Sequence, residues 1–266
     1  MGQDKSQSSP YDSLSDYCLV DHWEKLEGVN IPSTPKWWLR GALMAMDRRM
    51  HFTGVRGALW QMLGVTRSPR NPNICNLCFI HMEAGRLSEV TVLFADCRGF
   101  TTLMREQGPE AVRPLVDGFF RRCHGIVVGQ DGIVDHFLGD AVLALFNVPI
   151  HHEDHVARAV MAAVEIQKTP EQHGPLRVGI GITSGLAFTG MVGSNNCGDY
   201  TALGDAVNLA ARLQGEAAPG EVLLDEAAYL HVKDVFPFAN ERAVQVKGIS
   251  GKIKAYPLDV AGTGGL

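Results

Sequence analysis

No apolar run in this sequence reaches the roughly 18 residues that a membrane-crossing helix needs, because charged residues interrupt each run first. The opening residues, Met1 to Pro10, are polar and rich in Ser and Gln. They lack the apolar centre of a secretory signal. Cysteine is scarce, with six in 266 residues, too few for the disulfide framework of a secreted protein. Positive charge is in deficit too. The formal net charge is −5, which argues against a general nucleic-acid binder. These absences lead to the expectation of a cytoplasmic protein, with membrane association confined to one segment described below.

The rest of the composition is ordinary. Apolar content of 45% and charged content of 20% fit a soluble globular chain. The length suffices for one good core plus a smaller module. Residues 1–35 read as a flexible N-terminal segment that ends in Pro32-Ser33-Thr34-Pro35. Residues 36–88 read as a basic, amphipathic, helical module with a regulatory or linker role. Within residues 36–70 Lys36, Arg40, Arg48, Arg49, Arg56, Arg67 and Arg70 face only Asp47. Trp37, Trp38, Leu39, Leu43, Met46 and Met50 recur there at helical spacing. A helical hairpin packed on itself or on a second subunit is the first reading. Peripheral contact of residues 36–70 with an anionic membrane surface is the second.

Pro69-Arg70-Asn71-Pro72-Asn73 ends that stretch. Cys75 and Cys78 follow as a CxxC pair, with His81 three residues on. One CxxC is half a zinc site. A regulatory metal completed by two chains, a redox-sensitive dithiol and two buried thiols all remain open readings. Residues 79–88 read as a short linker helix.

From residue 89 the pattern is α+β. Val90 to Ala95 is a nearly continuous apolar strand, and Thr101 to Val128 is helical with a break marked by Pro109 and Pro114. Ile133 to Phe137 and Ala141 to Phe146 are strands flanking a tight Gly139-Asp140 turn. His155 to Gln167 is an amphipathic helix with Val156, Ala159, Val160 and Ala163 on its apolar face. Arg177 to Ile182 is a strand whose Gly179 and Gly181 point to close packing. Leu203 to Gln214 is a helix, and Val222 to Leu224, Ala243 to Val246 and Ile253 to Tyr256 are late strands. This order suggests a ferredoxin-like βαββαβ core with extra C-terminal strands, preceded by the mainly helical N-terminal module.

Two aspartates carry the chemistry. Asp96 closes the apolar run Val92-Leu93-Phe94-Ala95, and Asp140 lies 44 residues on, in the turn after Phe137-Leu138-Gly139. Such carboxylates can hold divalent cations, and two cations can clamp a triphosphate for displacement at its α-phosphate. Asp96 alone would read as a helix N-cap. The hairpin changes that balance, because it would bring Asp140 alongside the first strand. Backbone N–H groups where a helix starts, near Gly99, Phe100 and Thr101, suit phosphate oxygens. Asn208 and Arg212 are four apart and share a helix face. An Asn offers donor and acceptor to a sugar or base, and an Arg offers a fork to phosphate. Lys247, in Val246-Lys247-Gly248, is a point charge for a triphosphate or an ordinary turn lysine.

Four segments keep order and spacing together: Phe94 to Thr101, Phe137 to Ala141, Asp199 to Arg212, and Val246 to Gly248. On them residues 89–260 resemble the catalytic domain of class III nucleotidyl cyclases, the adenylate and guanylate cyclases, of bacterial type. The resemblance implies a head-to-tail homodimer with active sites between subunits. One subunit would give Asp96, Asp140 and the backbone of Cys97 to two Mg²⁺ or Mn²⁺ ions. The other would give His136 and Thr201 to the base, Asn208 to the ribose, and Arg212 and Lys247 to the phosphates. The implied reaction is in-line attack of the ribose 3′-oxygen at the α-phosphate. It yields a 3′,5′-cyclic monophosphate and pyrophosphate.

Two positions depart from the family pattern. Adenylate cyclases of this class usually carry Lys where this chain has His136, and often Asp where it has Thr201. Animal-type guanylate cyclases pair Glu with a small residue, and His136 is not Glu. A histidine and a hydroxyl can each donate or accept. ATP is the expected substrate, with a guanylate or base-relaxed cyclase as alternative. Asn195-Asn196 replace a basic residue found in many relatives. A non-catalytic, nucleotide-binding regulatory subunit is the other alternative, and the presence of both aspartates argues against it.

Overall fold

The computed structural model describes residues 85–148, 151–168, 176–194, 197–245 and 251–263, with isolated positions between residues 17 and 66. The chain divides into two units, Met1–Met82 and Glu83–Leu266. In the first unit the two-residue strands Tyr17–Cys18 and Met50–His51 pair antiparallel. Most of 36–70, together with Cys75, Cys78, His81, Asn195, Asn196 and Lys247, lies outside the described residues. Among the described residues no helix is long and apolar enough to cross a membrane.

Among the described residues the second unit is an eight-stranded sheet with five helices. Its elements are β1 (Arg86–Arg98), α1 (Phe100–Gln107), α2 (Pro109–Gly129), β2 (Ile133–Leu138), β3 (Ala141–Phe146), α3 (His155–Lys168), β4 (Arg177–Ser194), β5 (Cys197–Leu203), α4 (Asp205–Glu216), β6 (Val222–Leu224), α5 (Glu226–Val232), β7 (Arg242–Gln245) and β8 (Lys252–Pro257). The strand order is β2-β3-β1-β4-β6-β8-β7, with β5 paired to β4 outside that path. The first four positions form the antiparallel sheet of the expected βαββαβ core. β6 joins β4 in parallel, and β8 and β7 extend the edge antiparallel.

β1 lies between β3 and β4, which pair with both its edges, and helices cover its two faces, so Val90 to Leu93 are all buried. Its odd residues Leu93, Ala95 and Cys97 enter the main core with Phe119, Cys123 and Ile126 of α2 and Val156, Ala159, Val160 and Ala163 of α3. The apolar stripe expected on α3 is therefore the one that is buried. The even residues of β1 face α4. Opposite them on β4 stand Gly179, Gly181, Thr183 and Gly185. A Cβ on Gly181 would come within 2.4 Å of the Ala210 carbonyl oxygen and 2.5 Å of the Gln214 nitrogen. Backbone atoms cannot swing aside, so α4 sits this close only because position 181 has no side chain. Thr183 fixes the same contact by donating to the Ala206 carbonyl at 2.8 Å.

Several expectations need correction. Residues 86–88 belong to β1 and not to a linker helix, and β1 runs two residues beyond Asp96. The helix break falls at Gly108 alone, where φ is 79°, and Pro109 opens α2. Pro114 lies inside α2, near its start, where it removes a single helical donor. β4 continues to Ser194 and pairs with β5, so Leu203 ends a strand and the helix starts at Asp205. α5 carries no apolar run long enough to announce it and is held by an Asp225 cap, whose side chain accepts from the Ala228 N–H at 2.9 Å.

Gly181→Ala is expected to destabilise the protein by about 1–3 kcal/mol, as overpacking does. The same substitution at Gly185, where the nearest atom is 3.7 Å away, should have a clearly smaller effect. Urea unfolding of both variants checks this, and equal losses would contradict the assigned contact.

Candidate active site

Asp96 and Asp140 come together through strand register. Asp96 stands opposite Ala141 in the β1–β3 ladder, and Asp140 is the residue just before it. Gly139 makes the turn possible by taking a φ of 66°, a region that side chains disfavour. The Cys97 N–H donates to the Asp140 carbonyl at 3.3 Å and ties the turn to the end of β1. Burial first, then the charge of Asp96 and a hydrogen bond with it, push the Asp140 carboxyl up to about 6. Two carboxyls held like this cannot both ionise without repulsion. Gln214 Nε2 donates to Asp96 Oδ2 at 3.0 Å, and Arg98 Nη1 lies 3.7 Å from the same oxygen.

This pair fits a hard divalent cation, which takes carboxylate and carbonyl oxygens and would relieve the repulsion. Cys97 could contribute only its backbone, because its side chain points into the core. Burial, with the charges of Asp140 and Asp96, pushes its thiol up to about 12, so no thiolate forms. Among the described residues no group of three or more His, Cys, Asp or Glu side chains gathers to hold a metal. Other ligands would come from backbone, substrate or water.

Beside the pair, α1 starts at Phe100 after Gly99, whose φ is 76°. The first helical bond runs from the Leu103 N–H to the Gly99 carbonyl, so the N–H groups of Phe100 and Thr101 precede the helical ladder. Gly99, and not Asp96, is the N-cap. On α4 the buried side is Ala206, Ala210, Leu213 and Gln214. Asn208 is exposed and Arg212 half-buried, one turn apart.

His136 and Thr201 also come together, through a residue to which the sequence reading gives no role. Asp135 Oδ1 lies 2.9 Å from His136 Nδ1, and Thr201 Oγ1 donates to Asp135 Oδ2 at 2.5 Å. The signal for Asp135 was a lone carboxylate inside the apolar run Ile133-Val134. Gln214 and Arg98 also went unassigned. Gln214 reads as one more polar residue at a helix end, and only packing of α4 on β1 reveals its link to Asp96.

Residues 82–260 match the family described as "Adenylate and Guanylate cyclase catalytic domain". The chain belongs to that family and carries a class III nucleotidyl cyclase domain. It is 32% identical over 179 residues to adenylate cyclase 1 of Rhizobium meliloti, a match covering 63% of this chain and 27% of that protein. The chain thus spans about a quarter of that relative's length. Among solved structures it resembles the adenylyl cyclase CyaB from P. aeruginosa, at TM-score 0.63 and 29% identity over 65% of this chain and 95% of that one. It resembles the guanylyl cyclase Cya2 at TM-score 0.62 and 28% identity, over 65% and 93%. Relatives of both base specificities therefore surround it. Cyclases of this class generally use divalent metal ions.

Asp140 should couple metal binding to pH. Its raised pKa means that the ionised carboxyl burdens the metal-free fold above about pH 6, and that this burden fades as pH falls toward the ordinary carboxylate value. A cation relieves the burden but must displace a proton below that pH. Mn²⁺ is therefore expected to raise the unfolding midpoint of the parent at about pH 7.5, less at about pH 5.5, and not at all in Asp140→Ala. An equal rise in Asp140→Ala would place the ion elsewhere.

Proposed function

We propose that the chain is an adenylate cyclase, converting ATP to 3′,5′-cyclic AMP and pyrophosphate at the interface of a homodimer. The observation that carries this reading is the Asp96–Asp140 pair, two carboxyls brought into mutual repulsion where a cation would relieve it. Homodimerisation is supported by a row of exposed apolar side chains in register on three neighbouring strands. Leu87 pairs with Phe188, and Phe188 with Leu203, and Leu87 is 73% and Leu203 52% exposed. Such a patch on one surface marks a contact site.

When bound, two Mg²⁺ or Mn²⁺ ions would supply a lowered pKa at the ribose 3′-hydroxyl and neutralise charge on the triphosphate. Asp96, Asp140 and the Cys97 backbone would hold them. The N–H groups at Gly99, Phe100 and Thr101 receive phosphate oxygens. From the partner, Asn208 orients the ribose so that its 3′-oxygen lies in line with the α-phosphate. Arg212 meets charge developing at that phosphate, and Lys247 holds the outer phosphates. His136 and Thr201 read the base. Residues 89–260 are the catalytic domain in this reading, and 36–88 act as a regulatory linker that sets subunit orientation. A guanylate or base-relaxed cyclase is the second reading, favoured by the likeness to Cya2.

Purified protein with Mn²⁺ and either ATP or GTP tests both readings. Cyclic AMP from ATP, lost in Asp140→Ala, is expected. Arg212→Ala should lower kcat by roughly 100-fold or more with little change in KM. Cyclic GMP as the main product would favour the second reading. Formation of neither product would overturn the catalytic reading.

A further inference from the structure

β2 carries a bulge at Asp135. Val134 stands opposite Ala144 and His136 opposite Leu143, so Asp135 is an extra residue in the strand. The bulge turns its side chain fully inside, while His136 beside it stays partly exposed. A buried carboxylate is costly unless its oxygens are well partnered. Here Oδ1 takes His136 Nδ1 and Oδ2 takes the Thr201 hydroxyl. Thr201 comes from β5, although β3, β1 and β4 separate β2 from β5 in the sheet. One carboxylate therefore joins both side chains assigned to the base.

Hydrogen-bond chemistry limits what each can do. A threonine hydroxyl has one proton, and a carboxylate only accepts. Once Thr201 has donated to Asp135, its oxygen can only accept from a ligand. Nδ1 of His136 is the protonated nitrogen of that contact, so this ring meets a base only through Nε2, and the choice between purines at position 6 falls to Thr201. Adenine presents an amino donor at position 6, whereas guanine presents an oxo acceptor. An accept-only hydroxyl takes the first and meets the second with two opposed lone pairs.

The geometry points to Asp135 as the specificity-determining positioning residue of this cyclase: by consuming the Thr201 proton it makes the base site select a 6-amino purine over a 6-oxo purine. This rests on the assignment of His136 and Thr201 to the base in the function proposed above. Asp135 touches no substrate itself and acts through Thr201 and His136.

The test is the ratio of kcat/KM for ATP to that for GTP, with the ratio of the two Kd values measured alongside. Asp135→Asn keeps size and shape but puts an amide donor into the site. The amide can donate to Thr201, whose hydroxyl proton is then released toward the base. The ATP/GTP ratio is expected to fall by about tenfold or more. Adding Thr201→Asp to Asp135→Asn restores an accept-only group against the amide, and the ratio should recover. A merely structural role for Asp135 would lower turnover of both nucleotides together. A ratio unmoved by Asp135→Asn, or not recovered in the double variant, overturns the role of Asp135 while ATP preference stands. A parent that prefers GTP overturns the ATP reading and this inference with it, before any variant is made. If the parent turns over neither nucleotide, the cyclase reading fails separately, and the Kd ratio alone decides on Asp135 by the same criteria.

Discussion

The register of β1 against β3 and β4 is the constraint on which the rest of the site depends. Side chains alternate along a strand, so a slip of one residue would drive Asp96 into the helical core and turn Cys97 toward the site. That slip is disfavoured twice over. It would bury a carboxylate in the core that holds Phe119, Ile126 and Val160, and it would turn Leu93 and Ala95 onto the face that α4 covers closely. Hydrophobic patterning on one face of β1 thereby sets the position of a polar group on the other. The same register carries Asp140 to its neighbour through the ladder partner Ala141.

The face of the sheet that bears Asp96 is built for close approach. Gly181 lets α4 lie nearly on the backbone of β4, and Gln214 then reaches Asp96 from above. The Arg98 side chain fills the space beside Gly179 and donates to the Gln214 carbonyl. Asp96 is consequently held by its strand and also by the helix that carries Asn208 and Arg212. Helix position and carboxylate orientation are set by one packing contact.

Much of this was legible in the sequence where the cause was local. The apolar run of β1, the Gly139-Asp140 turn and the stripe of α3 each announce themselves within a few residues. The glycines of β4 also read correctly as a sign of close packing. What escaped was non-local. The second half of β4 and all of β5 mix glycine, polar and apolar residues without a sustained apolar run, and they are strands because they pair with each other. Pro114 suggests a break but falls near the start of α2, where the loss of one donor is tolerated. The aspartates and the helix pair Asn208–Arg212 stand out because their residue types are unusual in their settings. Asp135 was not legible as a linking group, since a bulge, which no local pattern signals, decides where it points.

The carboxylate shared by His136 and Thr201 has a further consequence for how this sequence can change. Loss of either side chain takes a hydrogen-bond partner from a buried acid, and loss of the acid takes a partner from both side chains at once. The three positions are therefore energetically coupled, and single substitutions among them will not sum. Drift at one position narrows what the other two can become. Histidine, aspartate and threonine here form a heritable unit, reachable from other combinations only by a few ordered routes.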